Sequence, residues 1–485
     1  MGSPLFTSCE KDHLETRPTD RVPSGAVVET ADNAMTALNG LHRALYVRYD
    51  SQGRGGLGAF YIHIDEAGED HVFNKANWDT SYRWIPNSSP TNSYNRYNWY
   101  MFYQWIANAN VLINGIDEAT GEQELKDQVK GEALLYRAFF HYELVQLYAK
   151  RYEKGGNNSQ LGIPIRTEPS TEPIARSTVE DVYAQINKDL DDAIALLDGI
   201  RVKNKSHLNA NVGMGLKARV ALTMHDYDTA IEYAQLAREG YSLMDQETYA
   251  QGFQIFSENN SEFMWASQIV EDQTDKWANY GAYISRNFSS SAIRGNPRSI
   301  NKLLYDEISD TDVRKTLWDP TGEHENLPAG FSLLSSFKKF PYTNQKFIAV
   351  SNGDSRVDVP HMRAAEMYLI EAEALARKGG GSDQQAAQVL FELANNRDSA
   401  YTLSANTGQA LIDEIMTQRR VELWGEGFRW YDLKRLNQDL DRTGSNHDED
   451  YTNKVMEIPA GDNRWVWPIP QDEVDANPLI EQNPI

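Results

Sequence analysis

Large aromatic rings in polar loops are the side chains of this sequence most suited to holding a ligand. Aromatic residues make up 11% of the 485-residue chain, and they concentrate between residues 73 and 105. Trp78, Tyr82 and Trp84 stand there among polar residues, and Trp277, Tyr280 and Tyr283 lie in a second polar segment. Large rings with few apolar neighbours need either a packing site or a ligand. The sequence alone leaves both explanations open.

Carbohydrate is one class of ligand that such loops suit. A sugar ring presents an apolar face of C–H bonds and an edge of hydroxyl groups. An aromatic ring covers the face, and stacking of rings contributes about 0.5–1.5 kcal/mol beyond the buried area. Asn, Asp and Arg side chains pair with the edge. A few such contacts, after the cost of association, predict weak binding of about micromolar to millimolar affinity.

No catalytic, cofactor or metal signature accompanies these rings. The glycines of residues 53–58 have dinucleotide-binding spacing, but a helical pattern precedes them where a strand is required, so a flexible loop is predicted. The sequence has no HExxH, P-loop or Gly-x-Ser-x-Gly motif. Its ten histidines show no ligand spacing, so we expect neither a cofactor nor a metal site. The one candidate metal site is a structural calcium ion at Asn446–Asp450, and a solvated loop without an ion is the alternative.

Charge and hydropathy narrow the class of protein. The net charge of −23 disfavours binding to nucleic acid, which requires neutralisation of phosphates, and mildly favours neutral over sulfated glycans. No stretch reaches the ~20 apolar residues of a membrane-spanning helix. The single cysteine, Cys9, excludes an intrachain disulfide. Small residues before it and a polar stretch after it are typical of a lipoprotein's first residue, and a free thiol is the alternative.

Apolar periodicity predicts a mainly helical chain. Helical patterns begin at Ala31 and cover residues 97–116 and 122–152, and Ser177 with Glu180 predicts a capping box for the next helix. Helix pairs at 211–239 and 362–396 place small residues as tetratricopeptide repeats do. We therefore predict a tether over 1–24, an N-terminal helical region over 25–245 and a C-terminal region over 246–485, with a loop-rich insert at about 246–360.

Several long blocks in order resemble the SusD/RagB family of outer-membrane nutrient-binding lipoproteins of Bacteroidetes. Residues 105–110 and 131–140 are similar to its N-terminal helix signatures, and residues 260–265 resemble its Ser-Glu block. In the C-terminal half, residues 363–374, 419–435 and 468–484 resemble its most specific blocks. Glu422, Glu426 and Arg429 in these blocks have helical spacings suited to a structural charge network.

The resemblance implies a function and a location. It implies a tetratricopeptide-like frame, a lipid on Cys9, a surface position on the outer membrane, and partnership with a SusC-like TonB-dependent transporter. The protein is expected to be a non-enzymatic binder of oligosaccharide. Capture of peptides or another non-sugar nutrient, and a scaffold without a small ligand, are the alternatives. Two sets of candidate residues lie where the family tends to build its site: stacking platforms at Trp78, Tyr82, Trp84, Trp277, Tyr280 and Tyr283, and hydroxyl partners at Asn74, Asp79, Arg83, Arg286 and Asn287.

Overall fold

A computed structural model describes residues 24–255 and 257–484 and shows a mainly helical protein. Cys9 and the predicted tether therefore lie outside the described residues. The helices of the described part are α1 Ser24–Val27, α2 Ala31–Ala44, α3 Gly56–Ala67, α4 Ser93–Gly115, α5 Gln123–Tyr148, α6 Val179–Leu197, α7 Ala210–Thr223, α8 Tyr227–Ala237, α9 Gln246–Ala250, α10 Gly281–Ile284, α11 Ser291–Gly295, α12 Lys302–Asp306, α13 Ala364–Lys378, α14 Asp383–Arg397, α15 Gln409–Glu422, α16 Arg429–Arg435 and α17 Gln471–Ala476. None of these helices is long and apolar enough to span a bilayer.

The long helices pack in succession as a helical-pair frame. Helix α4 packs on α5, α5 on α6, α6 on α7, α7 on α8, α8 on α13, and α13 on α14. The alanines predicted to let paired helices approach closely are buried, including Ala218 in α7 and Ala230 and Ala234 in α8. Since alanine adds little bulk beyond the backbone, it keeps the axes of these pairs close. The predicted fold class is confirmed.

Local caps fix where the frame helices begin. Thr30 starts α2 by accepting a hydrogen bond from the backbone N–H of Asn33 at 3.1 Å, and Asn92 caps α4 in the same manner. The predicted capping box at Ser177 is wrong by one residue, because Thr178 is the N-cap of α6 and accepts from the N–H of Asp181 at 3.1 Å. Such caps satisfy backbone donors that a helix start leaves unpaired.

The region before α4 is more ordered than the sequence suggested. The glycine-rich segment predicted to be a flexible loop enters helix α3, whose twelve residues are all buried. The glycines are required by close packing: a Cβ on Gly58 would lie 2.8 Å from the Cβ of Tyr280. Among the described residues no strand precedes α3, so the structure gives no support to a dinucleotide-binding site at these glycines.

Short strands join the insert to the helical frame. One sheet has the order β1-β3-β5-β4, formed by His71–Val72, Ser299–Ile300, Thr343–Asn344 and Trp318–Asp319. Strand β1 pairs antiparallel with β3, in the register His71 to Ile300. Two further antiparallel pairs join β2 (Phe263–Ser267) to β6 (Val359–Arg363) and β7 (Leu440–Asp441) to β8 (Glu457–Ile458). The β1–β3 pair places the aromatic-rich loop that follows β1 beside the insert.

A buried ionic network joins the C-terminal blocks to the frame. Glu422 ends α15 and pairs with Arg363 at 2.9 Å and with Arg397 at 3.1 Å, and all three side chains are fully buried. Glu426 pairs with Arg363 at 2.7 Å. These residues therefore belong to charge networks, but the predicted arrangement is wrong: Glu422 and Glu426 share Arg363, and Arg429 pairs with Glu69, because α15 stops at Glu422 and the three residues do not share a helix face.

A second buried cluster joins α13 to α16. Glu373 lies between Arg377, at 2.6 Å, and Arg435, at 2.7 Å. Burial alone would raise the pKa of the Glu373 carboxyl, but the guanidinium groups of Arg435 and Arg377 lower it to about 2. This carboxylate therefore stays ionised and holds the end of the helical array together at neutral pH.

Candidate functional site

Three of the predicted rings lie close together, and of these Trp277 is exposed, Trp78 is half-buried and Tyr283 is buried. Trp78 meets Tyr283 edge to face, with ring centroids 5.9 Å apart. The hydroxyl of Tyr283 donates a hydrogen bond to the backbone carbonyl of Trp277 at 3.1 Å. The ring of Trp277 is 44% exposed and leans on Phe288, with centroids 5.3 Å apart. We call Trp78, Tyr283 and Trp277 the aromatic surface.

The aromatic surface is assembled from segments about 200 residues apart in sequence, and backbone contacts fix it. Asn74, at the start of the first loop, donates to the carbonyl of Pro297 at 2.7 Å and to the hydroxyl of Ser299 at 2.8 Å. A Cβ on Gly55 would lie 1.8 Å from the carbonyl oxygen of Ala278, so only glycine permits this approach. Asn74, predicted to bind sugar hydroxyls, has its side-chain donor committed to positioning the loop.

Trp78 adopts a backbone conformation that favours ligand contact over simple packing. Its φ of 58° lies in the left-handed region, which is rare for a bulky residue. Trp84 has a similar φ of 55°, but its ring is buried and its indole N–H donates to the carbonyl of Ala67 at 2.7 Å. The ring of Trp84 is covered by protein, whereas that of Trp78 is half-buried and meets Tyr283 edge to face. Backbone strain of this kind clusters at functional sites.

The other predicted rings are core residues. Tyr82 is fully buried, stacks on Phe73 with centroids 4.5 Å apart, and hydrogen-bonds to His447. Tyr280 is also buried and donates to the carbonyl of Gly425 at 2.6 Å. The interpretation of Tyr82, Trp84 and Tyr280 as stacking platforms therefore needs correction, because their ring faces are covered by protein.

The predicted hydroxyl partners also include both buried and partly exposed side chains. Arg286 is buried and donates to the ring of His324 at 2.9 Å, and Asn287 exchanges two hydrogen bonds of 2.8 Å with the backbone of Ala349. These two side chains hold the insert together and do not reach the aromatic surface as donors. Asp79 and Arg83 follow Trp78 closely, are partly exposed and lie 4.0 Å apart. They remain the predicted hydroxyl partners that solvent can reach.

A tyrosine-lined groove adjoins the aromatic surface, and the sequence interpretation missed it. The groove has a volume of about 640 Å³. Its rings are Tyr49 in the loop after α2 and Tyr97, Tyr100 and Tyr103 on α4. The sequence analysis named none of the α4 rings as candidates, yet their spacing of three residues places them along one face of a helix. That spacing was the available signal. We call this feature the tyrosine groove.

Residues 52–54 connect the two features. Gln52 donates to the carbonyl of Trp277 at 3.3 Å. Gly53 lies under Trp78, since a Cβ there would be 3.5 Å from its ring. The guanidinium of Arg54 lies over the ring of Tyr97 at 6.0 Å. The aromatic surface and the tyrosine groove are therefore neighbours across one short segment, and a chain-like ligand could contact both.

The groove combines rings with hydrogen-bonding groups and little net charge. Arg54 pairs with Asp50 at 2.6 Å, and Arg96 pairs with Asp472 at 2.7 Å. Arg166 donates to the carbonyl of Ser170 at 3.0 Å. Burial raises the pKa of the Tyr49 and Tyr100 hydroxyls above the ordinary tyrosine value. These hydroxyls therefore stay protonated at neutral pH and act as hydrogen-bond donors.

The buried carboxyl of Glu143 does not form a substrate site. Burial raises the pKa of Glu143 to about 7, although Tyr431 donates to its carboxylate at 2.7 Å. Such a shift is a mark of catalytic sites. The cavity beside Glu143 holds only about 30 Å³, however, which is room for a water molecule and not for a sugar. The geometry favours a structural role for this carboxyl.

The loop considered for calcium is occupied by its own hydrogen bonds. The Asp448 carboxylate accepts from the backbone N–H of Asp450 at 2.8 Å. The ammonium group of Lys454 lies 2.9 Å from Asp450 and 3.2 Å from Glu449. A cationic side chain between two carboxylates competes with a metal ion, so the geometry favours the solvated-loop alternative.

Comparison with known families gives two matches that together cover most of the chain. The model of the SusD family matches residues 310–485. A second model, described as starch-binding associating with outer membrane, matches residues 47–222. A SusD-like protein of Formosa agariphila is 22% identical and aligns over 99% of this chain and 96% of its own length. A SusD-like protein of Bacteroides ovatus is also 22% identical, over 67% of this chain and 62% of its own length.

Solved structures show the same architecture. A SusD superfamily protein of Bacteroides thetaiotaomicron is 26% identical, with a TM-score of 0.79 over 94% of this chain and all of that one. A SusD-like carbohydrate binding protein of Bacteroides vulgatus is 26% identical, with a TM-score of 0.80 over 93% of this chain and 97% of that one. A laminarin binding SusD-like protein, at 21% identity and a TM-score of 0.68 over 94% of this chain and 98% of that one, shares the fold.

Proposed function

Because this chain belongs to the SusD family, we propose that it binds an oligosaccharide at the cell surface without catalysing its breakdown. It passes that glycan to a SusC-like TonB-dependent transporter in the outer membrane. One observation carries the proposal: rings from two distant segments, Trp78 on one side and Trp277 and Tyr283 on the other, converge into a surface with an exposed tryptophan face. Such a face suits the C–H side of a sugar ring.

The tyrosine groove supports a ligand longer than one sugar. Its volume of about 640 Å³ falls within the range of small-molecule sites, and it continues from the aromatic surface through residues 52–54. Two of its arginines, Arg54 and Arg96, already pair with carboxylates, and Arg166 donates to backbone carbonyls, so the groove offers hydrogen bonds without strong net charge. These features favour a neutral oligosaccharide over a sulfated one. The carbohydrate binding and laminarin binding named for two structural neighbours support the same ligand class.

A glycan array with a peptide control tests the binding proposal. Purified protein is applied to plant, fungal, algal and host oligosaccharides, laminarin included, together with a mixed peptide panel, and products are analysed for turnover. We expect one glycan class to be enriched, to remain intact, and to lose its signal with Trp277→Ala. Enrichment of peptides alone would replace the sugar with a peptide nutrient. Turnover of a glycan by protein free of hydrolase would refute the non-enzymatic function.

The location and the partner need a separate experiment in cells. The protein is produced in a Bacteroidetes host with a lipoprotein leader, either as it stands or with Cys9→Ala. We expect wild-type protein in the outer-membrane fraction, accessible to external protease and co-purifying with a TonB-dependent transporter. The Cys9→Ala variant should move to the soluble fraction because it lacks the lipidated thiol. Equal membrane retention of both forms would contradict anchoring through Cys9.

A further inference from the structure

Three side chains that are far apart in sequence converge between α2, α5 and the start of α7. His42 lies on α2, Glu132 on α5, and His207 precedes α7. The Nε2 atom of His42 is 3.1 Å from Nδ1 of His207 and 3.2 Å from the Glu132 carboxylate. Nδ1 of His207 is 2.9 Å from Oε1 and 3.1 Å from Oε2 of the same carboxylate. Two imidazole nitrogens and a carboxylate thus point at one another.

No placement of hydrogen atoms turns all three contacts among His42, His207 and Glu132 into hydrogen bonds. The Glu132 oxygens accept from the side-chain N–H of Gln128 and the backbone N–H of Leu208, so they face the two imidazoles as acceptors. If both nitrogens carry hydrogens toward the carboxylate, they cannot bond to each other. If either nitrogen lacks its hydrogen, a lone pair faces another lone pair. A cation accepts all three lone pairs at once.

We propose that His42, Glu132 and His207 bind a divalent transition-metal ion, with Zn²⁺ as the best-fitting example and water as a fourth ligand. Zinc binds imidazole nitrogen and carboxylate oxygen at about 2.0–2.1 Å, which places the donors of a tetrahedral site about 3.3 Å apart. The separations of 2.9–3.2 Å fall just below this value. A shift of a few tenths of an ångström in each side chain admits the ion.

The surrounding groups orient the ligands as in known metal sites. The other ring nitrogen of His42, Nδ1, lies 2.5 Å from the hydroxyl of Tyr136, which fixes the ring with Nε2 toward the cluster. The Glu132 oxygens accept from the side chain of Gln128 at 2.8 Å and the backbone N–H of Leu208 at 3.0 Å. Second partners of this kind commonly hold histidine and carboxylate ligands in place.

The position of the cluster suits an ion that joins elements and exchanges with solvent. The side chains of His42 and His207 are 7% and 8% exposed, and Glu132 is fully buried. None of the three residues belongs to the aromatic surface or the tyrosine groove, so this proposal stands independently of glycan binding.

The test is metal titration of the purified full chain after chelation and dialysis. Calorimetry with ZnCl₂, absorption spectra with CoCl₂ and thermal melts with and without zinc are compared for wild type, His207→Asn and Tyr136→Phe. The matched control is His225→Asn. His225 lies outside the cluster with a φ of 59°, a conformation that asparagine tolerates. Each variant is first checked for folding by circular dichroism.

We expect one zinc ion per chain, tetrahedral cobalt bands and a zinc-dependent rise in melting temperature for wild type and for His225→Asn. His207→Asn should bind zinc at least about tenfold more weakly and lose the rise, and Tyr136→Phe should weaken binding by about tenfold or more. If His207→Asn does not fold, Tyr136→Phe and the cobalt spectrum decide. Equal zinc affinity in wild type and these variants, or no tetrahedral cobalt spectrum, overturns the proposal in favour of a hydrogen-bonded cluster.

Discussion

Removal of the Trp277 ring should weaken glycan binding while leaving the fold intact. A tryptophan side chain buries about 250 Å² at most, so the 44% exposure of Trp277 leaves about 100 Å² open. A sugar that covers half of that area contributes about 1.3 kcal/mol at ~25 cal/mol/Å². Stacking adds about 0.5–1.5 kcal/mol. Trp277→Ala should therefore cost about 2 kcal/mol, or roughly 30-fold in affinity.

Trp84→Ala should have the opposite effect and lower stability, because the Trp84 ring is buried. Its ring is 1% exposed, contacts Trp465 edge to face at 4.9 Å and donates to the Ala67 carbonyl. Loss of such a ring should lower the free energy of unfolding by about 3–5 kcal/mol. Trp277→Ala should change that free energy by less than about 0.5 kcal/mol, because its backbone carbonyl still accepts from Tyr283.

Calorimetry with the glycan enriched on the array and guanidinium denaturation measure the two effects. Leu303→Ala is the matched control, since Leu303 is 49% exposed and lines neither the aromatic surface nor the tyrosine groove. It should change neither affinity nor stability. Unchanged affinity in Trp277→Ala would show that its open face does not contact the glycan. A large loss of stability in that variant would show that the ring is a packing residue after all.

Four further outcomes follow from the same structure. Gly55→Ala should abolish glycan binding, because its Cβ would lie 1.8 Å from the Ala278 carbonyl. Gly295→Ala, with open space around it, should bind as wild type does in calorimetry. Equal binding by both variants would contradict the assembly of the aromatic surface through this contact. Tyr100→Ala should remove the gain in affinity from short to long oligosaccharides, and an unchanged length dependence would exclude the tyrosine groove. Glu422→Gln should lower the free energy of unfolding by about 3 kcal/mol in guanidinium, because it removes a negative charge that the buried Arg363 and Arg397 share, while Glu262 and Glu426 still pair with them. A loss below about 1 kcal/mol would refute this. The folded-state pKa of Glu373 is about 2 against an ordinary 4.5, so the unfolded chain takes up the proton first as the pH falls. Stability should therefore fall as the pH drops from 4.5 towards 2. Glu373→Gln should flatten that part of the pH–stability curve, and an unchanged slope would contradict the prediction.

The helical frame was predictable because its signals are local. Apolar residues at three- and four-residue spacing defined α2, α4 and α5 to within a few residues, and small alanines identified the α7–α8 pair. Helix α3 escaped prediction because it is buried on every side, which removes the polar face that gives a helix its period. The cap of α6 moved from Ser177 to Thr178, since adjacent hydroxyl residues carry nearly the same signal.

The sequence predicted the regions that form the candidate site but not which of their side chains face solvent. Polar loops with tryptophan indicated the regions from which the aromatic surface is built, but Trp78 and Trp84 have the same local character and different environments. Exposure depends on what the rest of the chain places against a ring. Trp84 is covered by Trp465, which lies more than 350 residues away, and no local pattern carries that information.

The sequence by itself determined the helical frame, the family and the presence of aromatic residues suited to sugar, because spacing and composition record interactions between near neighbours. Only the tertiary structure decided which rings face solvent, joined residues 52–54 to both the aromatic surface and the tyrosine groove, and brought His42 to His207. These are contacts between segments far apart in the chain. They depend on how packed elements meet in space, which the order of residues along one element does not reveal.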